Sequence, residues 1–92
     1  MSVSQKDKEL EKVLKALANR RRLAILRCIV KEKQVNVGRM AEELKLSFKS
    51  TSRHLALLVL AGVLEKEQRS SQMFFFLSPT MHRLAGKTIS HL

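Results

Sequence analysis

The segment from Ser47 to Leu58 constrains the fold of this chain more than any other, because it combines a helix start, a basic face and an apolar face. Ser47 is placed to be the N-cap, since its hydroxyl can accept a hydrogen bond from a free amide of the first turn. Gly62 is placed to end the helix, where a left-handed backbone conformation is needed. We therefore predict a helix of about four turns between these two residues.

The first half of this helix has two different faces. At about 100° per residue, Thr51 and Leu55 fall on one side, while Lys49, Ser50 and Arg53 fall on the other. Side chains of the second kind can donate hydrogen bonds to base edges and phosphates in a DNA major groove. The alternative is an ordinary amphipathic helix with a solvated basic face, and this helix alone does not decide between the two.

The second half of the helix, from Ala56 to Ala61, is apolar on every side, so we expect it to be buried. Before it, Asn36 is placed to cap a helix over residues 37–44, and Lys45-Leu46 forms a tight turn into Ser47. These two helices and their turn form a helix-turn-helix, in which the second helix is the recognition helix.

The charge of the chain indicates a polyanionic partner. Its 92 residues include 18 Lys and Arg against 8 Asp and Glu, which gives a formal net charge of +10. Such an excess attracts nucleic acid or an anionic membrane surface. The sequence has no long apolar run, no signal-peptide pattern at its N-terminus and no Trp or Tyr for an interfacial helix. We therefore expect double-stranded DNA as the partner, and no membrane.

Two further helices precede the helix-turn-helix in a chain that reads as one domain over residues 1–92. The first, over residues 4–18, carries a single apolar stripe. The second runs from Arg20 to about Lys33, and Arg22 falls inside its apolar arc, so we expect Arg22 to be paired or snorkelling in a structural role. The far side of the second helix is basic and consists of Arg20, Arg27 and Lys31.

After Gly62 the pattern changes from a helical period to alternation. Two extended runs flank Ser70-Ser71 and predict a β-hairpin over residues 63–69 and 72–77. Phe75 points to one face of the second strand, and we expect Phe74 and Phe76 on the other face to need cover. Ser78-Pro79 predicts the start of a last helix over residues 79–91.

The order of elements is helix, helix, short strand, helix, helix, strand, strand, helix, which is a mainly α fold with a small β-hairpin wing. The chain resembles the arsenic-repressor (ArsR) family of bacterial and archaeal transcription factors over about residues 10–80. The segments that carry the resemblance are Leu14–Ala18, Arg22-Leu23, Ile25-Leu26, Ser52–Leu55, Leu57-Leu58, Ala61–Leu64 and Phe75–Pro79. The resemblance implies a winged helix-turn-helix homodimer, joined through the first and last helices, that binds a twofold-symmetric operator.

The metal sites of that family are not matched by this sequence. One family site uses a Cys-Val-Cys run, which corresponds here to Asn36-Val37-Gly38, and neither Asn36 nor Gly38 supplies a thiolate. A second family site pairs an Asp-x-His with a later His and a carboxylate or His. Here His82 lacks the aspartate, and His91 lies about half a turn round a shared helix from His82. We therefore expect no metal and no cofactor.

Cys28 is the only cysteine, so no intrachain disulfide can form and a reducing bacterial or archaeal cytoplasm is the expected compartment. It lies at the margin of the second helix's apolar arc. A thiol switch needs an exposed cysteine of low pKa and usually a resolving partner, which only a second copy of the chain provides. A packed structural cysteine is the favoured interpretation.

The sequence therefore predicts a sequence-specific, dimeric DNA-binding repressor. The expected DNA-contacting residues are Lys49, Ser50 and Arg53 for base edges, Ser47, Ser52 and His54 beside them, Lys66 and Arg69 in the wing, and Arg20, Arg27 and Lys31 for phosphates. His54 lies at the edge of the buried face, where a core imidazole is an equal alternative.

Two other functions stay open: a winged-helix protein-interaction module that uses Phe74 and Phe76, and a metal- or thiol-responsive repressor with a non-standard sensor site. An enzyme is disfavoured, because one Cys, three His and few acids show no catalytic spacing and no phosphate-binding glycine loop is present.

Overall fold

The computed structural model describes residues 2–92 and contains five helices and a three-stranded antiparallel sheet. The helices are α1 (Gln5–Leu17), α2 (Arg20–Glu32), α3 (Val37–Leu44), α4 (Phe48–Leu60) and α5 (Arg83–Ile89). The strands are β1 (Val35–Asn36), β2 (Leu64–Arg69) and β3 (Gln72–Leu77), and β3 lies between the other two. This order confirms the predicted fold class, a mainly α chain with a β-hairpin wing made of β2 and β3.

Each of the first four helices begins after a side chain that accepts a hydrogen bond from a backbone amide of the first turn. The capping residues are Ser4, Asn19, Asn36 and Ser47. Asn19 Oδ1 accepts from two amides at 3.0 Å, and Ser47 Oγ accepts from the Ser50 amide at 3.0 Å. The predicted helix starts are confirmed, because these short polar side chains satisfy amides that have no partner within the helix.

Left-handed residues end the two helices of the helix-turn-helix. Gly62 follows α4 with a φ of 75°, as predicted. Lys45 follows α3 with a φ of 56° and a ψ of 44°, and the next amide, that of Leu46, donates to the Ala41 carbonyl at 3.1 Å. The tight turn into the recognition helix therefore requires a conformation that a lysine adopts at a cost.

We expect Lys45→Gly to raise the free energy of unfolding by up to about 1 kcal/mol. It relieves left-handed strain of roughly 1–2 kcal/mol, and part of that gain is offset by the freer unfolded chain. Glu42→Gly is the matched control, since Glu42 is exposed within α3, and it should lower stability by roughly 0.5–1 kcal/mol. Urea unfolding measures both variants, and equal destabilisation by the two substitutions would contradict the assignment.

The hydrophobic core is centred on α2, which contacts every other helix as well as β1 and β3. Ile25 and Leu26 of α2 are fully buried. The other fully buried apolar side chains are Ile29, Met40, Leu55, Leu58, Val63, Leu64 and Ala85. Leu55 and Leu58 fix α4 to this core along one side, which leaves the opposite side of α4 facing outward.

The prediction that the second half of α4 is buried is wrong. Leu58 is fully buried, but Ala56 and Leu57 are exposed, and Leu60 is 71% exposed. A helix at the surface of a domain packs only one side against the core. Because the second half of α4 is apolar on every side, the side that no other element of the described chain covers exposes apolar side chains to solvent.

The prediction that the last helix begins at Pro79 is also wrong, because α5 begins at Arg83 and has only 7 residues. The Ser78 hydroxyl donates to Glu65 Oε2 at 2.9 Å and accepts from the Thr80 amide at 3.3 Å, so it forms a local turn instead of a helix cap. The capping atom is Nδ1 of His82, which accepts from the Leu84 amide at 3.0 Å.

The wing has the predicted register, with Arg69 opposite Gln72 across the two-residue turn. Phe75 is buried and pairs with Val35 of β1, which confirms the predicted inner face. On the other face, Phe74 and Phe76 are half-buried. These two rings are therefore partly covered within one copy of the chain, which weakens the alternative of an exposed phenylalanine surface that binds another protein. In β2, only Leu64 is buried, and the five residues that follow it are exposed.

Candidate nucleic-acid interface

The exposed face of α4 carries two basic side chains one helical turn apart, Lys49 and Arg53. The ion pairs within residues 2–92 use Lys15, Arg39 and Arg69 as their cations, so Lys49 and Arg53 belong to none of them. Both are therefore available to an external anion. Ser50 and Ser52 are half-buried beside them, and Ser47 is exposed at the start of the helix.

The recognition helix is anchored through the face opposite these basic residues. Thr51 is fully buried, and its Oγ1 donates to the Ser47 carbonyl at 2.9 Å. Ser47 thus caps the helix through its side chain and receives a hydrogen bond at its backbone. Together with buried Leu55, these contacts hold the first two turns of α4 in one orientation, which positions Arg53 before any ligand binds.

His54 is directed towards α2 rather than outward with Arg53. Its Nδ1 accepts a hydrogen bond from Arg22 Nη1 at 3.2 Å, since arginine can only donate. Burial, followed by the nearby charges of Arg22, Arg21 and Arg53, lowers the pKa of His54 below its ordinary value of 6.5. The imidazole is therefore neutral at pH 7, and the geometry favours the core-imidazole alternative over a DNA contact.

Arg22 has the structural role that the sequence predicted. Its Nε donates to the Ala16 carbonyl at 2.6 Å, and its Nη2 donates to the Lys15 carbonyl at 3.0 Å. The third contact of the guanidinium is His54. Arg22 therefore joins the carbonyl end of α1, the start of α2 and the recognition helix through one side chain.

We expect stability to fall with pH below about 6.5 because of His54. A histidine with a lowered pKa contributes stability that is fully present above its unfolded pKa and is lost as pH falls through the folded value. His54→Gln retains an acceptor for Arg22 but does not titrate, so its stability should depend less on pH. Urea unfolding from about pH 5 to 8 measures this dependence. His91→Gln is an exposed histidine variant for comparison, and a wild-type pH profile in His54→Gln would refute the assignment.

The two predicted wing residues lie on opposite faces of β2, because residues three apart in a strand point in opposite directions. Lys66 lies opposite Phe75 and lines a groove with Ser52 and Ala56 of α4, beside the recognition helix. The position of Lys66 therefore suits a contact with the DNA phosphate backbone next to α4.

Arg69 is occupied by neighbours in the wing. Its Nη1 donates to Gln34 Oε1 at 2.8 Å, its Nη2 pairs with Glu67 Oε2 at 3.1 Å, and the guanidinium carbon lies 5.3 Å from the centroid of the Phe74 ring. An Arg69 contact with DNA therefore stays a prediction, and one that would require the side chain to leave these partners.

The basic residues of α2 fall into two groups. Arg27 and Lys31 are exposed and line a groove with Glu32 and Glu43, both of which pair with Arg39. Arg20 is exposed at the start of α2. The residue that follows it, Arg21, lies close enough to His54 to lower its pKa. The sequence places Arg21 with Arg20 in the first turn of α2, where a nearby phosphate would relieve their charge, but it does not show that Arg21 lies near the recognition helix.

Cys28 is a half-buried thiol that donates a hydrogen bond to Glu32 Oε2 at 3.1 Å. Arg39 Nη2 donates to the same oxygen at 3.0 Å, which links α2 to α3. Burial and then the Glu32 contact raise the pKa of Cys28 to about 11. A thiol with this pKa is almost entirely protonated at pH 7, and the thiolate is the reactive form.

We therefore expect Cys28 to react slowly with a disulfide reagent such as dithionitrobenzoate. The rate in native protein at neutral pH should be at least about tenfold below the rate in urea-unfolded protein, because unfolding returns the thiol to its ordinary pKa. The absorbance of the thiolate that the reagent releases, followed over time after mixing, measures both rates. A native rate equal to the unfolded rate would restore the thiol-responsive alternative.

Groups of three or more His, Cys, Asp or Glu side chains that could hold a metal ion are absent from the described part of the chain. Among the helices of residues 2–92, none has the length and hydropathy needed to cross a membrane.

Comparison with known proteins places the chain in a family. No protein-family model matches it. The transcriptional activator HlyU of Vibrio cholerae serotype O1 is 38% identical over 68 residues, which are 74% of this chain and 62% of that protein. The structure of reduced HlyU from Vibrio cholerae N16961 has a TM-score of 0.79 at 31% identity, covering 96% of this chain and 88% of that chain. The chain belongs to the ArsR family of winged-helix transcriptional regulators.

A third likeness concerns the fold alone. The homodimeric winged helix-turn-helix domain of Mb0332 from Mycobacterium bovis has a TM-score of 0.77 at 20% identity, covering 99% of this chain and 84% of that chain. The relation to HlyU confirms the resemblance inferred from sequence. Because the relatives are regulators of transcription, the prediction of a regulator rather than an enzyme is confirmed as well. The chain spans less than two thirds of the length of curated HlyU.

Proposed function

We propose that this ArsR-family member is a sequence-specific, dimeric regulator that reads a palindromic operator with the first half of α4. The observation that carries the proposal is the pair of exposed cations, Lys49 and Arg53, on a capped helix whose opposite face is fixed in the core. In a major groove, the guanidinium of Arg53 can donate two parallel hydrogen bonds to guanine. Lys49 and the neighbouring serines contact adjacent base edges or phosphates.

The phosphate backbone is contacted by residues around the recognition helix. Lys66 approaches it from the wing, and Arg20 and Arg21 approach it from the start of α2. With a formal charge of +10 on each copy, the protein attracts DNA before any base contact forms. These contacts position the helix, while Arg53 supplies the discrimination between bases.

The dimer is proposed to form through α1 and α5. Leu14 on α1 is 47% exposed although it belongs to the helix's apolar stripe, and α1 packs against α5 in one copy. A second copy that covers this surface places two recognition helices on one face of DNA, as the symmetry of a palindrome requires. Repression follows where the operator overlaps a promoter. The compartment proposed is the cytoplasm of a bacterial or archaeal cell.

Selection from random oligonucleotides tests this function. Purified protein is expected to enrich two inverted half-sites about one helical turn apart. Binding to the selected site should weaken log-linearly with salt, with a slope of about −0.9 for each phosphate neutralised. Enrichment of no motif, with only salt-dependent binding, would show an electrostatic binder without sequence specificity. Salt-independent binding would oppose DNA as the partner.

A further inference from the structure

A second surface of α4 has no part in the proposed contacts with DNA. It is a groove of about 400 Å³ between α1 and the second half of α4. Its apolar lining comes from Leu57, Leu60 and Ala16. Leu60 is the most exposed large apolar side chain among residues 2–92, and Leu57 lies beside it at 40% exposure. Single exposed leucines are ordinary, but two neighbouring ones in a concave surface leave apolar area that a ligand can bury.

The rim of this groove is entirely cationic. It consists of Lys12, Lys15 and Arg22, and no carboxylate lines the groove. Arg22 is occupied by its three partners in the protein. Lys15 lies 3.9 Å from a Glu11 oxygen, a pair too exposed to neutralise it effectively. Lys12 takes part in none of the ion pairs within the described residues, so it is the cation most available to an anionic group.

The groove and the proposed dimer surface lie on different sides of α1. At 100° per residue, Lys12 and Ala16 are separated from Leu14 by about 160°. A second copy seated on Leu14 therefore leaves the side of α1 that carries Lys12 and Ala16 open. Its volume lies within the usual range of roughly 300–1,000 Å³ for small-molecule sites, and an apolar lining with few charged groups is typical of such sites.

We propose that this groove binds an amphipathic organic anion, with a hydrocarbon or aromatic body against Leu57 and Leu60 and an acidic group at Lys12, and that its occupation weakens DNA binding. Leu57 follows Arg53 by one helical turn on the same side of α4, so the occupant lies directly beside the residues that face DNA. The occupant also contacts Arg22, which holds His54 and thereby the orientation of the recognition helix. The effect on DNA rests on the proposed function, whereas the binding of the anion does not.

The binding of the anion is tested on the DNA-free protein, with anilinonaphthalene sulfonate as a fluorescent anion and decanoate as a competitor. Leu60→Gln removes a leucine contact and Lys12→Glu removes a charge-assisted contact, and each should weaken binding about tenfold. The matched controls are Val3→Gln, another exposed apolar residue, and Lys6→Glu, which makes the same charge change away from the groove. Both controls should bind like the wild type. Circular dichroism verifies that the variants are folded.

The outcomes separate the possible sources of binding. Displacement of the fluorescent anion by decanoate but not by decyltrimethylammonium supports a site for anions. Equal displacement by both overturns it, because binding would then be apolar only. Equal weakening in Lys6→Glu or Val3→Gln overturns it as well, since the probe would be responding to overall charge or scattered apolar surface. The absence of saturable binding to the wild type overturns the site altogether.

The regulatory half is measured as the affinity for the selected operator with and without a saturating concentration of decanoate. A loss of about fivefold in the wild type, equivalent to about 1 kcal/mol, that is absent in Leu60→Gln supports the proposal. An unchanged affinity in the presence of bound decanoate overturns this half. Failure of the protein to bind any DNA would instead contradict the proposed function, and the DNA-free measurement stays valid in that case.

Discussion

Arg53→Ala is expected to weaken operator binding by about 1–3 kcal/mol per half-site, or roughly fivefold to 150-fold, and to remove the base preference at one position. The side chain is exposed on the recognition helix and free of the ion pairs within residues 2–92. Its removal therefore costs the contact with DNA and leaves the protein's own packing intact. Competition binding with operator variants measures both the affinity and the base preference.

Two further variants distinguish this contact from a general loss of charge. Arg53→Lys keeps the charge but loses the planar guanidinium that can make two parallel hydrogen bonds. It should therefore retain non-specific affinity for DNA and lose most of the discrimination between bases. Lys8→Ala removes one positive charge from the exposed surface of α1 and should leave the base preference unchanged. If Arg53→Ala lowers affinity for every sequence equally, Arg53 contacts phosphate rather than a base.

Leu58→Ala is expected to lower the free energy of unfolding by about 2–5 kcal/mol. Leu58 is fully buried against the core, and its truncation removes transfer free energy and leaves a cavity. Small domains are stable by only about 5–15 kcal/mol, so this one substitution removes a large share of the total. Urea unfolding monitored by circular dichroism measures the loss.

Leu60→Ala is the matched control, two residues further along the same helix. Because Leu60 is 71% exposed, its truncation should change stability by less than about 0.5 kcal/mol. A loss as large as that of Leu58→Ala would mean that Leu60 is covered in solution. That result would contradict both the outward orientation of this face and the open groove beside it.

The elements that sequence predicted correctly are those specified by local chemistry. Ser47 and Asn36 cap helices because a short polar side chain satisfies free amides whatever the tertiary surroundings are. Gly62 ends α4 because its φ of 75° suits glycine. Strand alternation likewise placed Phe75 inward. The exposed basic pair on α4 follows from these boundaries and from helical periodicity alone.

The features that sequence missed depend on which elements meet. The Ser78 hydroxyl could cap a helix or form a turn. In the folded chain it donates to Glu65 of β2, and no helix begins at Pro79. The sequence predicted a structural role for Arg22 but did not identify its partner. His54 lies 32 positions away in the chain and contacts Arg22 only after folding. The exposure of Leu60 could not be read from its own helix either, since burial depends on how much of the chain packs against that side.

The five exposed residues of β2 have a consequence for self-association. β2 is an outer strand, so its backbone presents unpaired amides and carbonyls that could accept a strand from another molecule. The sequence Glu65–Arg69 alternates acidic and basic or polar side chains along this border. Pairing with an identical strand would bring these charged side chains into the new interface and cost part of their hydration. We therefore expect the wing to stay unpaired and accessible beside the recognition helix in a dimer that forms through α1 and α5.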